Sequence, residues 1–223
     1  MIELKSSEEI EKMLASGKVV SQVLKTMQVE AVPGVSTWKL DQIAEEIIRS
    51  AGAVPSFLGY GGFPGSICAS VNEEVVHGIP SKERILKEGD IIGIDVGAYL
   101  NGFHADSALT VPVGKVSGEA KRLLGTTKKA LHKAIELIKP GIHLGDVSHA
   151  VETYAAEGKL GIVRDYCGHG VGRKLHEDPC VLNYGRKGTG PILKAGMVIA
   201  VEPMLNLGGD EVEVLDNDWT VVT

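Results

Sequence analysis

Apolar residues recur at helical spacing near the start of the chain, where Ile10, Met13, Leu14, Val20, Val23, Leu24 and Met27 form one stripe. Ser6 and Glu9 make a capping box ahead of it and Pro33-Gly34 stops it, so the spacing predicts a helix to about Glu30. A second helix follows Ser36-Thr37 through Leu40, Ile43, Ala44, Ile47 and Ile48 to Gly52. Residues 59–65, GYGGFPG, are too glycine-rich for regular structure. The strand-like stretches ICASV and EEVVHGIP lead to residues 87–110, two β-branched apolar runs joined by Asn101-Gly102. That dipeptide tolerates the positive φ of a tight hairpin turn. Helical patterning returns over 118–138, is stopped by Pro140-Gly141, and resumes from about Leu144 to Gly158.

The hairpin fixes a register. With Leu100 and Phe103 flanking a two-residue turn, Asp95 faces Ala108, and Asp106 lies diagonal to Asp95 on the same face. Diagonal neighbours sit roughly 7–8 Å apart, so two short carboxylates can reach one point between them. Asp95 interrupts the apolar run Ile91-Ile92-Gly93-Ile94-Asp95-Val96, where an uncompensated carboxylate is costly. A shared cation is the simplest compensation.

The order of elements occurs twice. Lys87-Glu88-Gly89 with IIGID matches Lys194-Ala195-Gly196 with VIAVE at an offset of 107, and Pro33-Gly34-Val35 matches Pro140-Gly141-Ile142 at the same offset. Gly59-Tyr60-Gly61 and the His77–Pro80 stretch have weaker counterparts in Gly168-His169-Gly170 and His176–Pro179. Two copies of a helix, helix, strand and hairpin unit predict an α+β fold: one curved antiparallel sheet, helices on its outer face, and a pseudo-twofold axis. The chain reads as a single catalytic domain with halves of about 1–115 and 116–223. The repeat maps Asp95 onto Glu202, and His169 sits between glycines that allow a ligand to approach the backbone. Three carboxylates and one imidazole form a hard donor set suited to manganese, iron(II), cobalt or zinc. Bridging carboxylates point to two metals and to hydrolysis, of an amide first of all. His77 and His176, in equivalent loops, are candidates to donate hydrogen bonds to an oxyanion or the scissile amide.

Composition narrows the field. The 223 residues are 43% hydrophobic and 23% charged, as in ordinary globular chains. The formal net charge of −6 offers no basic surface for nucleic acid. No apolar stretch approaches the length of a membrane span, and the acidic N-terminus lacks a signal-like apolar core, which leads to a cytoplasmic expectation. Cys68, Cys167 and Cys180 have no CxxC spacing, suggest neither a disulfide framework nor a thiolate site, and read as small buried residues or pocket lining.

GIDVGAYLNGFHAD, CGHGVG, VIAVEPM and VVHGIP, in this order and spacing, resemble the type I methionine aminopeptidases of the pita-bread metallopeptidase fold. The resemblance covers essentially the whole chain. It implies a cytoplasmic, monomeric enzyme that removes the initiator methionine of new polypeptides when the next residue is small, with the ribosome as a possible partner and no membrane. It implies two divalent ions (Co, Mn, Fe, Zn or Ni) held by Asp95, Asp106, His169 and Glu202. Glu202 would also manage the nucleophile's proton, His176 would steady the tetrahedral intermediate, and His77 would contact the substrate backbone. Tyr60, Phe63, Cys68 and Trp219 match positions lining a methionine pocket, whose polarizable character suits a thioether. Leu175 stands where the family usually has an aromatic.

The family's fifth ligand is a glutamate on the return strand of the second hairpin. Glu211 and Glu213 fall at a suitable distance, but GGDEVEVLDND reads as a solvated hairpin. The expectation is that some 25 to 30 residues of the fold lie beyond those given, that the 223-residue form has little aminopeptidase activity, and that a form extended through a Glu-bearing strand has more. Two alternatives stay open: an Xaa-Pro peptidase of the same fold, and a catalytically compromised peptide-binding module.

Overall fold

The structure, a computed structural model, describes residues 1–223. Helix α1 (Ser7–Glu30) begins at the expected capping box, with Glu9 N–H donating to Ser6 Oγ at 3.3 Å and Ser6 N–H to Glu9 Oε2 at 2.8 Å. Its inward face is Met13, Ser16, Val19, Val20, Val23, Leu24 and Met27, whereas Leu14, expected in the stripe, is exposed. Ser16 takes an inward position because its hydroxyl reaches two backbone oxygens of the hairpin turn, Leu100 O at 3.2 Å and Phe103 O at 2.9 Å. Ser16→Ala removes the one hydroxyl proton these two oxygens share, and urea unfolding is expected to register a loss of about 1 kcal/mol with an unchanged m-value.

Helix α2 (Thr37–Ser50) is capped by Ser36. Its buried Asp41 accepts the N–H groups of Ser66 at 2.7 Å and Ile67 at 3.1 Å, which pins the entry to a strand. Strands β1 (Val54–Pro55), β2 (Ile67–Val71), β3 (Glu74–Val76), β4 (Ile91–Leu100) and β5 (Phe103–Pro112) complete this half. Asn101 and Gly102 turn the hairpin at φ 55° and 87°, and Asp95 pairs with Ala108 as the turn predicts. β4 is central, with β5 along one edge and β2 and β1 along the other. Helices α1 and α2 cover the sheet over a core containing Val23, Met27, Leu40, Ile48, Ile67, Ile92, Ile94 and Val96.

Helices α3 (Gly118–Glu136) and α4 (Leu144–Glu157) pack on each other around Ala130, Ala134, Val147, Val151 and Ala155. Strands β6 (Gly161–Ile162), β7 (Gly168–Gly170), β8 (Glu177–Val181), β9 (Leu205–Asn206), β10 (Glu213–Val214) and β11 (Val221–Val222) follow. The two halves repeat backbone hydrogen bonds at the offset of 107. Gly34 N–H donates to Leu86 O and Gly141 N–H to Leu193 O, while Leu86 N–H donates to Val35 O and Leu193 N–H to Ile142 O. Ser36 bridges Ile85 as His143 bridges Ile192.

The repeat is imperfect where a second central strand was expected. Residues 198–202 form no regular strand: they meet β7 through Val171 N–H to Val198 O and Ala200 N–H to His169 O, and no strand runs along their other edge. A ladder needs two sustained edges to look like β4. The cysteine expectation is also corrected, since Cys167 and Cys180 are joined in a disulfide, with Cα atoms 6.1 Å apart, and Cys180 is exposed. Only Cys68 is free and buried. Glu211 and Glu213 are exposed near and on the β10–β11 hairpin, away from any enclosed cluster.

Candidate metal centre and active site

Asp95 and Asp106 project from the paired strands β4 and β5, close enough to hydrogen-bond each other. His169 comes from β7 and Glu202 from the segment beside it, so residues from both halves meet. His169 Nε2 lies 3.5 Å from Asp106 Oδ2 and 3.3 Å from Glu202 Oε1. The other ring nitrogen, Nδ1, is 2.8 Å from Gly170 O. A carbonyl can only accept, so Nδ1 carries the proton and, in the neutral ring, Nε2 presents its lone pair to the carboxylates. Gly168 makes this approach sterically possible, because a Cβ there would lie 2.2 Å from Ala200 O.

Electrostatically the cluster is short of positive charge. Burial, then the charges of Asp106 and Glu202, push the Asp95 carboxyl well above the ordinary carboxylate range. Burial, then Asp106, raise Glu202 to about 7, with His169 opposing. Burial disfavours a charged His169, but Asp106, the Gly170 carbonyl and Glu202 outweigh it and raise its pKa. Glu202 Oε1 is buried and has no hydrogen-bond partner. An orphaned oxygen and three carboxylates around one imidazole lone pair fit a divalent cation, which supplies what each of these groups lacks.

The shift at Glu202 has a sign that can be tested without metal. A carboxyl at about 7 in the folded chain and 4.5 when exposed favours the folded state while protonated, and that advantage disappears as pH rises from about 4.5 through 7. Its side chain is one-third exposed, so the effect is discounted to on the order of 1–3 kcal/mol. Comparison with Glu202→Gln cancels the groups that do not face Glu202, and the loss of Glu202's pull on the His169 pKa acts in the same direction. In chelator, the variant's thermal stability relative to the parent is expected to rise by that amount between pH 4.5 and 7.5.

Beside the cluster, Phe57, Phe63, Cys68 and Leu175 form a small buried group with Ile79 and Trp219 packed against it. Phe63 meets Trp219 edge-on at 5.1 Å. Cys68 faces Asp95 in the β2–β4 register, and burial followed by the charges of Asp95 and Asp106 keeps its thiol strongly protonated. Leu175 thus takes part in the pocket wall. Tyr60 is exposed, and its hydroxyl is 2.8 Å from His176 Nδ1. The His176 and His169 rings are 4.2 Å apart, and burial followed by the His169 charge lowers the His176 pKa. His77, at φ 59°, lies 5.6 Å from the Tyr166 ring and 6.4 Å from Trp219, its pKa lowered by burial. The structure therefore gathers every sequence-predicted site residue into one region.

Some neighbours were not anticipated. Phe57 and Ile79 belong to the pocket. His104, two residues before Asp106 and so on its face of β5, accepts or donates a 2.8 Å hydrogen bond with Ser56 Oγ. Lys5, with a side chain only 4% exposed, forms an ion pair with Glu177, the residue after His176. The alternation of β5 carried the signal for His104, whereas nothing local marked Lys5.

The chain matches the family described as metallopeptidase family M24 over residues 11–222. It is 51% identical to a methionine aminopeptidase of Clostridium acetobutylicum over 223 residues, covering 100% of this chain and 89% of that one. It is also 51% identical to methionine aminopeptidase 1 of Bacillus subtilis, with 100% and 90% covered. The crystal structure of a methionine aminopeptidase from Thermotoga maritima superposes with a TM-score of 0.99 at 47% identity, covering 100% of this chain and 90% of that one.

Proposed function

The chain belongs to metallopeptidase family M24, and on that premise we propose that it hydrolyses the N-terminal methionine from polypeptides whose second residue is small. The observation that carries this reading is the approach of His169 Nε2 to both Asp106 and Glu202, with Asp95 beside Asp106 on the paired strand and a Glu202 oxygen unpaired. Those four residues would hold two divalent cations drawn from Co, Mn, Fe, Zn or Ni. When bound, such ions polarise a carbonyl and make water a nucleophile at neutral pH.

The chain's own residues account for the rest. Glu202 can accept a proton from the attacking water and pass it to the departing amine. His176, oriented by Tyr60, can donate a hydrogen bond to the oxyanion, while His77 contacts the substrate backbone. The group of Phe63, Cys68, Leu175 and Trp219, with Tyr60 at its rim, accepts a flexible thioether side chain and keeps water away from it. The site is built within one chain, which supports a monomer. No helix is long and apolar enough to cross a membrane. We place the enzyme in the cytoplasm, acting on new polypeptides and so within reach of the ribosome.

The test is a peptide panel offered to the protein with added Mn(II) or Co(II). Met-Ala and Met-Ser peptides are expected to lose methionine faster than any other peptide of the panel, with Xaa-Pro peptides untouched. Cleavage of Xaa-Pro alone would transfer the chain to the proline-specific reading, and metal-independent peptide binding without turnover would favour a binding module. Anomalous scattering at each absorption edge would give metal identity and number.

A further inference from the structure

Strands β7 and β8 form a short antiparallel pair in which Gly168 faces Val181 and His169 faces Cys180, with a bulge after His169. The segment between them carries His176. Cys167 and Cys180, 13 residues apart, close this segment covalently at its open end, so both histidines lie inside the closed loop. Cys180 is exposed and Cys167 half-buried, within reach of small thiols, whereas Cys68 is buried.

We propose that Cys167 and Cys180 are a reversible redox clasp that sets how firmly this hairpin presents His169 and His176. In the oxidising step the two thiols lose two protons and two electrons and form one S–S bond. The co-reactant is a small disulfide such as oxidised glutathione, which is reduced to two thiols, or a peroxide, which is reduced to water or to an alcohol and water. A dithiol reverses the step. The cross-link acts by removing open conformations from a segment whose backbone ladder is only three residues long on the β7 side. The clasp stands independently of the hydrolase reading; only its consequence for metal retention rests on that reading.

The experiment equilibrates the protein with graded ratios of reduced and oxidised glutathione, then traps free thiols with a maleimide in denaturant. Two of the three thiols are expected to disappear together, a linked peptide joining Cys167 to Cys180 is expected on digestion, and Cys68 should stay trappable. Amide hydrogen exchange over residues 168–177 is expected to slow by about tenfold in the oxidised form, and the Cys180→Ser variant should show no such redox dependence. A glutathione adduct on Cys180 with no internal link would overturn the proposal. So would a link that leaves exchange in that segment unchanged. Mn(II) loss to a chelator should also slow on oxidation. If neither form bound Mn(II), the metal-centre reading would fail while the exchange result still decided the clasp.

Discussion

Asp106→Asn is expected to lower kcat/KM for a Met-Ala peptide by about 10³-fold or more and to weaken divalent metal binding by calorimetry. The same change should make the metal-free protein more resistant to unfolding. Asp106 is buried against the carboxyls of Asp95 and Glu202, and without a cation three acids share one imidazole. An amide of nearly the same shape removes one of the repelling charges and keeps a hydrogen bond to Asp95. Thermal unfolding in chelator should therefore rise while unfolding with Mn(II) present falls. An aspartate that merely tied two strands together would lose stability in both conditions, so the opposed signs identify a ligand.

Lys5→Met is expected to cost about 2–3 kcal/mol in urea unfolding, because it leaves a half-buried carboxylate without its cation. Burial alone would raise the Glu177 pKa, but Lys5 and the Lys174 N–H outweigh it and hold the carboxyl low. The space is exacting: a Cβ on Gly172 would come within 2.3 Å of Lys5 Cε. The double variant Lys5→Met with Glu177→Gln removes the stranded charge and should recover at least about 1 kcal/mol of that loss. A full loss in the double variant would assign the effect to packing around the lysine stem.

How far the sequence led depended on how local each signal was. Asn101-Gly102 determines its hairpin from two residues, so the Asp95–Ala108 register and the diagonal placement of Asp106 followed directly. The 107-residue offset carried this one step further, to Glu202. It overreached in assigning residues 198–202 a regular strand, since motif similarity reports side chains and turns but not how many edges a strand has for pairing. Leu14 failed for a similar reason: a stripe drawn from hydrophobicity could not know that Ser16 would be called inward by carbonyls 84 and 87 residues away. The Cys167–Cys180 link and the Lys5–Glu177 pair were illegible because each depends on contacts made only after the β7–β8 bulge is set.

The buried lysine also bears on how the molecule is made. Lys5 is held by Glu177, 172 residues later in the chain, and, through its backbone N–H at 2.7 Å, by Gly196 O. The first half has its own core and can condense once β5 has emerged. The segment around Lys5 must wait for Glu177 and Gly196, and the donor cluster closes only when residue 202 arrives. One late event thus both seats Lys5 and brings Glu202 to His169, so no shorter nascent form holds the four donors together.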